Sequence, residues 1–180
     1  MTDETKKKRA SPGVKTVRGP FLKLLPHPES LDDSAGLSTY VRGIRENRPG
    51  RLIGADLFAG AGGLSLGLHQ AGIEVVFSAD HDPESVETHR HHFGGLSVDW
   101  DLSDPDVVDR TGRLLKSIKV DVLAGGPPCQ PFSKAGRSMI RHMVRNGLRD
   151  SHDQRRDLWR SFLEIIRISR RYTPSAYMRL

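Results

Sequence analysis

Residues 125–133 read GGPPCQPFS, and Cys129 is the only cysteine in the 180-residue chain. A single thiol closes no internal disulfide and is too little for a structural zinc site. Two roles remain open. One is a small buried apolar residue. The other is a nucleophile aimed by its backbone, with Pro127, Pro128 and Pro131 supplying stiffness and Gly125 and Gly126 close access. The thiol by itself does not separate them.

A second chemical feature is DLFAGAGGLSLGL, residues 56–68. A glycine-rich turn between a strand and a helix lets a ligand approach the backbone and meet a helix N-terminus. Dinucleotides, nucleotide phosphates and S-adenosyl compounds are all candidates. The dinucleotide fingerprint G-x-G-x-x-G begins at Gly60-Ala61-Gly62 but has Ser65 in its sixth position, and no Gly-Lys-Ser/Thr triplet follows. Asp56, on the strand itself, would repel a pyrophosphate and suit an ammonium. That favours S-adenosylmethionine, which has an amino group and a cationic sulfur.

Asp80 ends the next apolar run, 20 residues after Gly60. A carboxylate there can bind ribose hydroxyls. His81 beside it suits an adenine ring and equally an ordinary surface position. Asp99 and Asp101 are placed to accept from an adenine amino group. Asp104, Asp106 and Asp109 read as caps and solvated helix positions. His89, His91 and His92 share a helix, but no carboxylate or thiol partner is evident, and a metal site is not expected.

These residues need elements to hold them. Residues 1–50 contain KKKR, scattered Pro and Gly and no sustained periodicity. They read as a basic, mostly disordered leader with a short helix near 37–46. From Arg51 the pattern predicts strands over 52–58, 73–79, 96–98 and 120–124, and helices over 64–71, 83–93, 105–117 and 155–171. The last helix places Leu158, Phe162, Ile165 and Ile166 on one face. A polar loop runs from 134 to 152, and 175–180 reads as the start of a fifth strand. Alternating strands and helices predict an α/β fold with a parallel sheet, formed by residues 51–180.

Apolar residues are 36% of the chain, a lean core that leaves room for an unstructured part. The net charge of +6 is uneven. Lys and Arg outnumber Asp and Glu by 10 to 6 over residues 1–50, trail them by 6 to 12 over 51–128, and lead again by 12 to 4 over 129–180. Positive charge thus resumes at the cysteine. It suits a polyanion such as nucleic acid, and equally a solvated helix face with a basic loop. No apolar run is long enough to span a membrane, and the first residues lack the apolar stretch of a signal peptide. With one cysteine, a cytoplasmic protein with no membrane partner is expected.

Together, DLFAGAGGLSLGL, SADHDPESVETH and GGPPCQPFS, in this order and spacing, resemble the C5-cytosine DNA methyltransferases. DxRxxLW at 153–159 is a further match, and the resemblance covers roughly residues 51–178. It implies a Rossmann-like sheet of about five parallel strands, S-adenosylmethionine as cofactor, double-stranded DNA as substrate, and DNA methylation of the restriction–modification kind. It also implies that the Cys129 thiolate adds to C6 of a flipped cytosine, so that C5 becomes nucleophilic toward a methyl group. Carried over position by position, Phe58 stacks on the cofactor, and Asp56, Ala59, Gly60 and Gly62 line its methionine side. Asp80 takes the ribose and His81 lies against adenine. Asp101, with Asp99 as second choice, takes the adenine amino group, and Pro128 touches cofactor and base. Gln130 and Ser133 touch the DNA strand or hold the loop. Lys134 and Arg137, with Arg141, Arg145 and Arg149, close over phosphates.

The family's Glu-Asn-Val motif, whose glutamate holds cytosine N3, would end the strand that begins near Ser175. Here the sequence reads SAYMRL. The family's Gln-x-Arg-x-Arg motif, target-recognition region and final helix are not found either. The expectation is an N-terminal fragment, or half of a split enzyme whose second polypeptide supplies the rest, and methyl transfer by these 180 residues alone is not expected. The alternative is a noncatalytic remnant that binds cofactor or DNA. An RNA methyltransferase of the same shape stays open. A nicotinamide oxidoreductase is disfavoured by Ser65 and Asp56.

Overall fold

A computed structural model describes residues 24–128 and 158–170. In chain order the elements are β1 (Ser30–Leu31), α1 (Leu37–Asn47), β2 (Leu52–Leu57), α2 (Gly63–Gln70), β3 (Ile73–Ala79), α3 (Pro83–His92), β4 (Gly95–Val98), α4 (Pro105–Ile118), β5 (Val122–Gly125) and α5 (Leu158–Ser169). The strands form one five-stranded sheet in the order β1-β4-β3-β2-β5, with every pairing parallel. β2 and β3 are buried almost end to end, as parallel strands covered on both faces are. The architecture is Rossmann-like, as the alternation of patterns predicts.

The steps β2–α2–β3 and β3–α3–β4 move one way across the sheet. The step β4–α4–β5 then moves back past β2 to the opposite edge. Right-handed crossovers therefore put α2 and α3 on one face and α4 on the other. α3 and α4 start by the same device. Asp82 and Asp104 cap their first turns, each followed by proline. Asp109 pairs with Arg113 one turn along α4. α4 packs against α5 at Gly112, where an added Cβ would sit 2.6 Å from Ile168. α5 also meets the end of β5, since a Cβ on Gly125 would lie 2.8 Å from the Phe162 ring.

Residues 24–50 are not a leader apart from this domain. Leu37, Val41 and Ile44 of α1 are buried in the same core as Ile53, Leu57, Phe77, Leu115 and Ile165. β1 pairs with β4 at the sheet edge. Glu74 of β3 binds Arg48 at 2.9 Å and Arg51 at 3.4 Å, which fastens the end of α1 to the sheet. A two-residue strand has no periodicity to read; its partner makes it one. The fifth strand among the described residues is thus β1. Residues 1–23 and the strand expected at 175–180 lie outside them.

Leu37 has no exposed surface. Leu37→Ala is expected to lower stability by about 2–5 kcal/mol, the range for emptying a buried leucine site. The urea midpoint of the 180-residue chain measures this. An unchanged midpoint would exclude α1 from the cooperative core.

Candidate active site

Leu57 is registered between Ala79 of β3 and Gly125 of β5, and Ala79 lies against Val98 of β4. Four strand ends therefore share one rim, and the chain reverses its course across the sheet at β2. Ligands of open α/β sheets bind at such reversals, beyond the carboxyl ends of the strands.

The turn after β2 uses left-handed backbone at Phe58 (φ 58°), Gly60 (φ 53°) and Gly62 (φ 99°). For a residue with a Cβ this region costs about 1–2 kcal/mol, so Phe58 is held there by its surroundings. The Ala59 N–H donates to the Ala79 carbonyl at 3.2 Å, and the Gly62 N–H to the Ala59 carbonyl at 3.0 Å. Phe58 packs half-buried on the core, and Ala59 is buried. Asp80 fastens the turn from β3. Its Oδ2 accepts from the Gly60 N–H at 2.8 Å, and its Oδ1 from the Asp82 N–H at 3.0 Å. The side of Gly60 is open, for an added Cβ would meet nothing within 4 Å. Gly62 is the reverse case. A Cβ there would sit 2.4 Å from the Phe93 ring and 3.0 Å from His89, so its missing side chain makes room for α3.

The exposed His81 lies with Nδ1 3.3 Å from Asp80 Oδ1. Asp101 Oδ1 accepts from the Ser103 N–H at 2.9 Å. That bond holds its carboxyl below the usual carboxylate range, and His81 acts in the same direction. Asp80, His81 and Asp101 thus gather at one rim, with Asp99 exposed beside them. Between Asp99 and Asp101, Trp100 stands against Phe77 (ring centres 5.8 Å apart), with the Arg110 guanidinium 4.2 Å from its ring centre. A groove of about 780 Å³ opens there, lined in part by Pro83, Val86, Val98, Asp99 and Trp100. Trp100 is not among the residues expected from sequence, although an aromatic flanked by two candidate carboxylates is a signal for it. Pro128 is half-buried just past β5. Cys129, Gln130, Ser133, Lys134 and Arg137 lie outside the described residues.

Asp56 departs from expectation. It is fully buried, so a ligand's ammonium does not reach it directly. Its Oδ2 is hydrogen-bonded to Ser65 Oγ at 2.7 Å, and its Oδ1 has no partner among the described residues. Burial pushes its carboxyl up, the Ser65 hydrogen bonds oppose this, and the Asp80 carboxylate adds to the rise. Ser65 Oγ is also 2.9 Å from His89 Nε2, and His89 Nδ1 is 2.9 Å from Ser97 Oγ and 3.1 Å from Ser78 Oγ. His89 is buried. Its imidazole is pushed down to about 4, chiefly by that burial and then by His92. The three clustered histidines diverge. His89 turns inward, His91 Nδ1 lies 2.5 Å from the Leu25 carbonyl oxygen, and His92 is exposed.

A model of the C-5 cytosine-specific DNA methylase family matches residues 52–178. The chain belongs to that family. Among curated relatives, the type II methyltransferase M.HgiGI of Herpetosiphon aurantiacus is 42% identical over 82 residues, 46% of this chain and 63% of that protein. M.XorII of Xanthomonas oryzae pv. oryzae is 39% identical over 109 residues, 53% of this chain and 25% of that protein. M.HgiDI of Herpetosiphon aurantiacus is 40% identical over 82 residues, 46% of this chain and 26% of that protein. The chain spans less than two thirds of each.

In this methylase domain, Ser65 is more than a departure from a dinucleotide pattern, because its hydroxyl joins Asp56 to His89. The pH behaviour of His89 follows from its depressed pKa. In the unfolded chain it takes a proton near its ordinary 6.5, but in the folded domain only near 4. Its contribution is therefore complete above pH 6.5 and is lost as pH falls toward 4. The loss amounts to about 3 kcal/mol. Asp56, with its raised carboxyl, works in the opposite sense. The measurement compares the wild type with His89→Gln, which keeps hydrogen-bonding groups at the position but does not titrate. The expected result is a steeper loss of unfolding free energy from pH 6.5 to 4 in the wild type. Parallel profiles would show that His89 titrates normally.

Proposed function

We propose that this chain is the cofactor-binding, nucleophile-bearing part of a DNA cytosine-5 methyltransferase that uses S-adenosylmethionine and acts on duplex DNA inside the cell. The register of β2 supports this most. With Leu57 between Ala79 and Gly125, the glycine turn and the Pro127-Pro128 segment leading to Cys129 leave the sheet side by side. The residues at the rim fit the cofactor. Gly60 has an open side, and the N-terminus of α2 has no side-chain cap. Asp80 keeps lone pairs free for ribose hydroxyls beyond the two N–H groups it already accepts.

When bound, S-adenosylmethionine supplies a methyl group on a cationic sulfur. Phe58, Ala59 and Gly60 would flank it, Asp80 would hold the ribose, and His81 with Asp101 or Asp99 would receive the adenine. Asp56 and Gly62 support the turn from behind. Pro128 stiffens the approach to Cys129. The Cys129 thiolate forms a bond to C6 of a flipped cytosine, and the displaced electron pair makes C5 nucleophilic. C5 would take the methyl group as the S–CH3 bond breaks and S-adenosylhomocysteine departs; a solvent base would then take the C5 proton while the C6–S bond breaks and the thiolate returns. Gln130 and Ser133 contact the strand, and Lys134 and Arg137 its phosphates.

Calorimetry with S-adenosylhomocysteine tests the cofactor assignment. Asp80→Ala is expected to weaken binding by roughly 1–3 kcal/mol, the scale of a lost charged hydrogen bond. Equal affinity in both proteins would remove Asp80 from the site. The nucleophile has its own test, on duplex DNA carrying 5-fluorocytosine, where fluorine blocks release from C5. The relatives extend well beyond the matched stretch, so the assay supplies a C-terminal segment from one of them. A denaturant-stable protein–DNA adduct is expected with the wild type and none with Cys129→Ser. An adduct that survives the serine change would place the nucleophile elsewhere.

A further inference from the structure

Five side chains from five elements meet behind the glycine turn: Asp56 of β2, Ser65 of α2, Ser78 of β3, His89 of α3 and Ser97 of β4. All are buried. Their heavy-atom distances allow the protons to run in either of two directions. With an ionised Asp56, Ser65 donates to the carboxylate, His89 donates from Nε2 to Ser65, and the serines of β3 and β4 donate to Nδ1. With a neutral Asp56, every bond reverses. The carboxylic acid donates to Ser65, Ser65 donates to His89 Nε2, and His89 donates from Nδ1 to Ser97 and Ser78.

Three observations decide between them. Asp56 has no exposed surface, so no bulk water solvates a charge. Its Oδ1 has no partner among the described residues. An anionic oxygen left bare in an interior is far more costly than the carbonyl of a neutral acid. Finally, among the described residues the charged group that acts on Asp56 is the Asp80 carboxylate, which repels it. A buried carboxyl with a like charge nearby and no cation takes a proton.

We infer that Asp56 is a neutral carboxylic acid at pH 7 and the first donor of a charge-free relay, Asp56–Ser65–His89–Ser97/Ser78, that positions the glycine turn. The relay ties the end of β2 to both helices on that face and to the next two strands on one side, β3 and β4. Asp56 is thus a positioning residue, acting through Ser65 rather than by charge on a ligand. This holds independently of which cofactor the turn receives.

The tautomer of His89 reads the direction of the relay. In the 180-residue chain with ¹⁵N-labelled histidine, the His89 signals are those that vanish in His89→Gln. The Nδ1–H tautomer is expected at pH 7, and the Nε2–H tautomer would overturn the inference. A second measurement uses melting temperature. Asp56→Asn keeps a donor and carries no charge, so its Tm should stay near that of the wild type, whereas Asp56→Ala should melt clearly lower. Asn melting as low as Ala would show that the negative charge is what the site requires.

Discussion

β2 has a neighbour on each side, and the chain reaches them by connections that run in opposite directions. Everything at the rim depends on this. The reversal leaves the end of β2 uncrossed by either connection, so a turn can be built there with space above it. Pairing in register then delivers the ends of β3, β4 and β5 to the same level. The carboxylates that gather there come from separate parts of the sequence, and none needs a long side chain to arrive. A one-residue slip of β3 against β2 would send Asp80 to the other face of the sheet and leave the Gly60 N–H without its acceptor.

The rim and its underside obey different electrostatic rules. Above the sheet, Asp80 and Asp101 accept from backbone N–H groups beside the exposed His81 imidazole, and Asp99 is exposed. Behind the turn Asp56 has no exposed surface, and among the described residues the charge that acts on it is the like charge of Asp80. There the same residue type, as Asp56, works by shape and hydrogen bonding. The two aspartates nearest the turn thus serve it from opposite sides, Asp80 as an acceptor from Gly60 and Asp56 as an anchor through Ser65.

Most of the sheet was legible because parallel strands buried on both faces read as apolar runs, and because glycine and Asp-Pro pairs mark where those runs end. The glycine turn and Asp80 were legible by type and spacing. β1 and the role of α1 were not, since a two-residue strand exists only by pairing and an apolar stripe does not name the core it joins. His89 was legible only as a member of a histidine cluster with no evident metal-ligand partner. Its inward turn depends on Ser65, Ser78 and Ser97 arriving from three other elements. An aspartate at the end of a strand suggests a charge facing a ligand, but Asp56 is fully buried, so its type gives no preference against a pyrophosphate. The family match implies a methyl donor.

α5 touches the rest of the domain where side chains are missing. Gly112 of α4 admits Ile168, and Gly125 at the end of β5 admits the Phe162 ring. Volume has been moved across the interface, leaving bare backbone on one surface and bulk on the other. A methyl group gained at 112 would meet the Ile168 Cβ itself, and one gained at 125 the Leu57 carbonyl oxygen, each at 2.6 Å, so trimming the facing side chain relieves neither clash and both positions are held to glycine. The same fit sets the height of β5 in the sheet, and with it the level at which the chain departs toward Pro127 and Pro128.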